Sequence, residues 1–238
     1  MEKQEKQEKQ TIALAGVGDF GRYIYEVLDA DDRYNVVILS RQSKPLYPPS
    51  AVHITPSYSE ESVYSILQST RATTLISTIQ CPDSAFVTIH QNLLNACLRS
   101  THCKRFIPSE YGGDIERFPH LPGGYARSRL PFRDILAQSH GVEWTLLNLG
   151  WFMDYFLPQA MSYIHHVPGE FPVQWESWRY TVRGTGEEPQ NTALWVDMIA
   201  RVYEDLVHCA HQVNSLNANH WDSEITQQLS ESETDSSF

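Results

Sequence analysis

Gly16, Gly18 and Gly21 stand as G-x-G-x-x-G inside TIALAGVGDFGRYIYEVL, Thr11 to Leu28, where a short apolar run enters a glycine turn and leaves as an amphipathic pattern. The chemistry such spacing serves is the cradling of a pyrophosphate. Gly16 allows the tight turn, Gly18 lets backbone approach the phosphates, and Gly21 lets a helix pack on a strand. The helix that follows offers unpaired N–H groups and the positive end of its dipole. Asp19 and Phe20 share this turn and count among the expected cofactor-binding residues. Asp19 counts slightly against such a site, because a carboxylate near phosphates is repulsive unless it points away to cap the helix. A second apolar run ends at LSRQSK, with Arg41 and Lys44 and no acid until Glu60. A free ribose 2′-hydroxyl usually meets an acid here and a 2′-phosphate meets Arg, which favours NADPH over NADH. The bland alternatives are a glycine turn that serves packing alone and a solvated basic loop.

Further along, Ser109, Glu110 and Tyr111 follow the run KRFIP. Ligands of a doubly wound sheet bind outside the carboxyl ends of its strands. Ser109 could hydrogen-bond a carbonyl there and Tyr111 could stack on substrate or nicotinamide; Ser109 and Glu110 could equally be local caps. Tyr125 and Arg129 are four apart, hence on one face of a helix that has begun by Tyr125. A tyrosine beside a cation suits proton donation, because the cation stabilises the phenolate left behind; a surface pair of the same spacing is the competing reading. Trp151, Phe152, Tyr155 and Phe156 could wall an aromatic pocket, and are read first as core. His120, His165 and His166 are available proton carriers that nothing singles out.

The elements that must hold these residues alternate. Strands are expected at Ile12–Ala15, YNVVILS ending at Ser40, AVHIT, TTLISTI, KRFIPS and VEWTLLNLG. Helices are expected at Arg22–Leu28, at SEESVYSILQS, opened by Ser59 with Ser62 or by Ser57 with Glu60, at Ala85–Leu98 and at Pro131–Gln138. The apolar face of the third comprises Val87, Ile89, Leu93, Leu94 and Cys97. β-branched strands alternating with helices imply an α/β fold of Rossmann type, a doubly wound parallel sheet with helices on both faces. MEKQEKQEKQ has nothing apolar to bury and reads as a solvated arm over 1–10. The Rossmann domain covers 11–150, a partial substrate lobe 151–213, and an acidic, serine-rich disordered tail 214–238.

Composition narrows the classes. The chain has 238 residues, 41% hydrophobic, with 29 acidic against 18 basic residues and a net charge of −11. So acidic a chain is a poor candidate for direct nucleic-acid binding, which needs clustered Lys and Arg. No apolar stretch reaches the ~20 residues of a membrane span, and the N-terminus lacks the apolar core of a signal peptide. Cys81, Cys97, Cys103 and Cys209 form no C-x-x-C pair and are expected as separate, reduced thiols of a cytoplasmic protein. No metal site is expected.

With the glycine turn, the SR after the second strand and LLNLGWFMDYF, the phrase RFIPSEYGGD resembles the NmrA-like, isoflavone-reductase-like family, an atypical branch of the short-chain dehydrogenase/reductases. The resemblance runs from about Thr11 to Val207 and is most specific at Pro108–Gly112. It implies a Rossmann domain, NADPH, and reduction of small, often aromatic or unsaturated, secondary metabolites. Three departures stand out. Ala15 occupies a position where members often carry glycine. YARSR replaces the Y-x-x-x-K of many fungal-type members, so that Arg129 stands for lysine, and Arg does not freely substitute for Lys. Members also run well beyond this length: HCAHQVNSLNANHWDSEITQQLS, after WVDMIARVYEDLV, has no counterpart, and the C-terminal lobe is expected to be shortened. Two functions follow: an NADPH-dependent reductase with Tyr125 and Arg129 as catalytic residues, or a dinucleotide-sensing regulator, resembling NmrA, that acts on a protein partner.

Overall fold

The computed structural model describes residues 9–117, 119–120, 125–149, 152–157, 159–165, 173–174 and 179–180. All of these lie in the first of two units, Met1–Glu204. Six parallel strands form one sheet: β1 (Gln10–Ala15), β2 (Tyr34–Ser40), β3 (Val52–Ile54), β4 (Thr74–Ser77), β5 (Arg105–Ile107) and β6 (Glu143–Trp144). Their order is β3-β2-β1-β4-β5-β6, the doubly wound Rossmann order. β1 pairs on one side with β2, from Gln10↔Tyr34 to Ala15↔Leu39, and on the other with β4, from Ile12↔Thr74 to Ala15↔Ser77. Strand order therefore reverses across β1, and the glycine turn leaves its carboxyl end at the switch point.

Four helices join the strands: α1 (Asp19–Asp29), α2 (Glu60–Thr70), α3 (Asp83–Arg99) and α4 (Ala126–Ala137). Alternation along β1 decides the layers. Ala13 and Ala15 face a core that also takes Val63 and Leu67 of α2, Phe86, Leu93 and Leu94 of α3, and Phe132 and Leu136 of α4. Ile12 and Leu14 point the other way and are fully buried, as are Ile24 and Leu28 of α1. Ser59 caps α2 by accepting from the Ser62 N–H at 3.4 Å. Glu60 and Glu61 in that first turn both bind Arg99, at 2.7 and 3.0 Å, which ties α2 to α3.

Several boundaries differ from expectation. β1 begins at Gln10, inside the stretch expected as an arm; Lys9 reaches Asp32 at 3.1 Å. α3 buries Phe86 and His90, while Val87 and Ile89 are only half-buried. α4 begins at Ala126, with Pro131 inside it. The sixth strand is cut to two residues. Its partner β5 ends at Ile107 because Pro108 has no N–H to donate, so after the Thr145 N–H bonds the Phe106 carbonyl at 3.3 Å the ladder is not continued. Of the expected lobe, the described residues form two short 3-10 turns (Met153–Phe156, Gln159–Met161) and an antiparallel pair, Val173–Gln174 with Arg179–Tyr180. The stretch WVDMIARVYEDLV and the tail lie outside the described residues.

Phe132 is the keystone between α4 and the sheet. Fully buried, it meets Phe86, His90 and Phe106 edge-on at 5.9, 5.5 and 6.4 Å. Phe132→Ala should lower stability by about 3–5 kcal/mol, read from the urea midpoint at unchanged m-value.

Candidate functional site

The three glycines of the turn do three different things. Gly16 has φ +91°, donates its N–H to the Leu39 carbonyl at 3.0 Å, and accepts from the Thr78 hydroxyl at 2.7 Å. A Cβ on Gly21 would lie 2.5 Å from both the Gly16 carbonyl oxygen and Thr78 Oγ1, so α1 sits where it does only without that side chain. Gly18 is the opposite case. It is the N-cap of α1 at φ −75°, no side chain caps the helix there, and a Cβ would meet nothing within 4 Å. Its openness serves no packing among the described residues. A helix N-terminus with unclaimed N–H groups and clear space in front suits an anion that must approach backbone closely.

Around Gly18 lies a cavity of about 450 Å³, bordered also by Asp19, Arg22, Lys44, Tyr163 and His165. Lys44 thus faces the turn. Arg41 is exposed beyond the end of β2, and its charge acts on Tyr58 and Cys81, on the side of the loop after β4. Asp19 does not cap α1. Its Oδ2 accepts from the backbone N–H of His165 at 2.9 Å and pairs with His165 Nδ1 at 2.7 Å. The neighbouring contacts fix the same segment to α1: Tyr23 donates to Asp154 at 2.7 Å and accepts from the Tyr163 N–H at 3.0 Å, and Arg22 stacks 3.6 Å from the Tyr163 ring centroid.

The carboxyl ends of β4 and β5 are held by a residue that sequence reasoning passed over. His90 is wholly buried in α3. Its Nδ1 bonds the Phe86 carbonyl at 3.0 Å, which makes that nitrogen the donor. Nε2 then accepts from the Ser109 N–H at 3.3 Å and the Ser77 hydroxyl at 3.1 Å. The i,i+4 spacing of Phe86 and His90, with ring centroids 3.9 Å apart, was the signal available in the sequence. Burial, reinforced by the charge of Arg129, holds the imidazole at about 3, far below its ordinary 6.5; the bond to Phe86 opposes this.

Ser109 is buried, with its backbone fixed by His90. Glu110 is neither exposed nor a local cap: it is 2% exposed, and its Oε2 binds Arg133 of α4 at 2.6 Å. Arg133 also reaches Glu116 and Asn148, each at 2.9 Å. Tyr111 donates its hydroxyl to the Ser77 carbonyl and lays its ring 4.6 Å from that of Phe20, so it belongs to the wall. Phe152 stacks on Phe20 at 5.1 Å and meets Tyr155 at 5.3 Å, which makes Phe20 and Phe152 packing residues.

Tyr125 is the N-cap of α4, in helical conformation, with its carbonyl accepting from the Arg129 N–H at 3.0 Å. The two residues are therefore one turn apart as expected, and the guanidinium lies 4.7 Å from the Tyr125 ring centroid. Tyr125 is 52% exposed. Arg129 also binds Asp83 at 3.2 Å and stacks on Phe86 at 4.1 Å, and burial lowers its pKa. The pair sits near the ends of β4 and β5: Glu110 and Cys81 both act on Arg129.

Cys97 and Cys103, expected as separate thiols, are buried with sulfurs 3.4 Å apart; burial raises the Cys97 thiol well above its ordinary range. His120 is exposed. Trp151, His166 and Cys209 lie outside the described residues. Among the described residues no group of three metal-ligating side chains gathers, and no helix is long and apolar enough to cross a membrane.

No family model matches the sequence. The chain is 37% identical over 198 residues to oxidoreductase swnR of Metarhizium robertsii, covering 82% of this chain and 63% of that protein. It is 34% identical over 197 residues to oxidoreductase swnR of Arthroderma benhamiae, again 82% and 63%. The chain thus spans less than two thirds of the length of these curated relatives. Among solved structures, the leucoanthocyanidin reductase–NADPH complex of Vitis vinifera superposes with a TM-score of 0.60 at 18% identity, over 82% of this chain and 62% of that one. An isoflavone reductase gives 0.55 at 17% identity, over 81% and 64%. These likenesses establish the Rossmann-type fold.

The buried His90 makes a pH prediction. The unfolded imidazole takes up a proton below about 6.5 and the folded one only near 3. In that window the unfolded state binds more protons, so stability falls as pH falls, by up to about 1.4 kcal/mol per pH unit from this group. His90→Gln should flatten the stability slope between pH 6.5 and pH 3, measured by urea denaturation at several pH values.

Proposed function

We propose that this chain, which belongs to the isoflavone-reductase-like (NmrA-like) family, is an NADPH-dependent oxidoreductase that reduces a small secondary metabolite. The observation that carries the reading is the room in front of Gly18, at the switch point of the sheet, with Lys44 on the surrounding cavity and Arg41 beyond it. The N–H groups of the first turn of α1 hold the diphosphate, and Arg41 and Lys44 hold the 2′-phosphate. Phe20, Tyr111 and Phe152 close an apolar wall beside this site, and Ser109, fixed by His90, stands at the end of β5. NADPH supplies the hydride when bound. Tyr125 donates the proton, and Arg129, against its ring, stabilises the phenolate that remains and offers hydrogen bonds to ribose hydroxyls. Relatives support the assignment: the matched proteins are named as oxidoreductases, and one solved relative, with a TM-score of 0.51 at 20% identity, is described with NADP+ and (+)-pinoresinol.

A second reading, a redox sensor that binds the cofactor without turnover and acts on a protein partner, is favoured by one observation. Arg129 is already engaged by Asp83 and Phe86, which leaves its guanidinium less free than an exposed lysine.

Calorimetry should find NADPH bound more tightly than NADH. An Arg–phosphate contact contributes about 1.5–3 kcal/mol, about ten- to a hundredfold, and Arg41→Ala should remove most of that preference. On a substrate found by screening, Tyr125→Phe should lower turnover by about 10²–10⁴-fold at nearly unchanged NADPH affinity, while Arg129→Lys should retain or raise it. NADPH binding without turnover in any of these variants would favour the sensor.

A further inference from the structure

Asp19 stands where a phosphate-binding turn gains least from an acid. A carboxylate in the first turn of α1 favours the helix dipole but opposes an anion at the same N-terminus. The carboxylate nevertheless does not turn to the helix N–H groups, which no side chain caps among the described residues. One oxygen, Oδ2, meets two nitrogens of His165: it accepts from the backbone N–H at 2.9 Å and pairs with ring Nδ1 at 2.7 Å. The bonds join residues 146 apart in sequence. With Nδ1 held, Nε2 is the outer polar atom of the ring. The His165 side chain is 81% exposed, and it lines the same cavity as Gly18, Arg22, Lys44 and Ser162. A carboxylate on one imidazole nitrogen fixes the ring's orientation and stabilises it when the other nitrogen donates to an anion.

We infer that His165 is a further phosphate contact of the dinucleotide and that Asp19 is its positioning residue, so that the carboxylate promotes cofactor binding through the histidine it holds. This rests on the dinucleotide-binding reading above and extends it to a residue far along the chain. His165 then brings an N–H donor to the diphosphate across from the N-terminus of α1, with Lys44 beside it on the 2′-phosphate, and the segment pinned by Tyr23 and Arg22 closes over the turn.

The test is titration of the full chain with NADPH, followed by fluorescence, for wild type, His165→Ala, Asp19→Asn and the double variant, with circular dichroism as the check on folding. His165→Ala should weaken binding about tenfold, the worth of one charge-assisted hydrogen bond. Asp19→Asn alone should also weaken it. In the His165→Ala background the same Asp19→Asn change should strengthen binding, because only the repulsive charge is then left to remove. His165→Gln, which keeps an N–H donor, should recover part of the loss. Unchanged or tighter binding in His165→Ala, or tighter binding in Asp19→Asn alone, would overturn the inference while leaving the dinucleotide reading intact. Failure of the wild-type chain to bind either NADPH or NADH would overturn that reading and the inference with it.

Discussion

The site depends on one close contact. With no Cβ on Gly21, the first turn of α1 can lie directly on the Gly16 carbonyl and the Thr78 hydroxyl. Thr78 follows β4, so the contact ties together the ends of the two strands at which the sheet order reverses. A helix seated so closely directs its N-terminal N–H groups past the sheet edge rather than into it, and Gly18 is left facing open space. Even alanine at position 21 would place a carbon 2.5 Å from two oxygens, and α1 would have to tilt away, taking the anion site with it.

The other half of the site is held by buried polar groups rather than by glycine. His90, oriented by its bond to Phe86 within α3, joins that helix to the ends of β4 and β5 through two hydrogen bonds. Glu110 and Arg133 tie the loop after β5 to α4. Removing one partner of such a buried pair leaves an uncompensated charge, which typically costs about 3–5 kcal/mol. These ties keep α4, and with it Tyr125 and Arg129, beside the sheet edge. Arg129 fits the scheme in a particular way. Its planar guanidinium both stacks on Phe86 and bonds Asp83, so it works as a clamp between α3 and α4 as well as a candidate for chemistry.

Much of this was legible in the sequence because it rests on local rules. The glycine spacing, the β-branched strands and the Ser59 cap each follow from backbone geometry within a few residues. The places where reading failed depend on partners distant in sequence. VEWTLLNLG has strand composition throughout, but a strand needs a neighbour, and Pro108 ends the β5 ladder that it joins. Glu110 can be read as a local cap after the strand until Arg133 is folded against it. Asp19 reads as a charge that opposes phosphate unless it caps the helix, and its partner His165 is 146 residues away in sequence. Cys97 and Cys103 read as unrelated until the end of α3 turns into β5. The candidate site was thus visible as a set of residue types, while which of them are walls, clamps or contacts required the fold.

The claim at the centre is that the space in front of Gly18 exists for a dinucleotide. Threonine is about as good an N-cap as glycine, and a Cβ at this position meets no atom within 4 Å. Gly18→Thr should therefore fold with unchanged stability while filling the approach to the backbone. The decisive measurement is NADPH affinity of this variant beside wild type, with thermal unfolding of both. Unchanged melting together with at least tenfold weaker NADPH binding is the predicted result. Wild-type affinity in Gly18→Thr would contradict the account, because the open glycine would then have no bearing on the ligand.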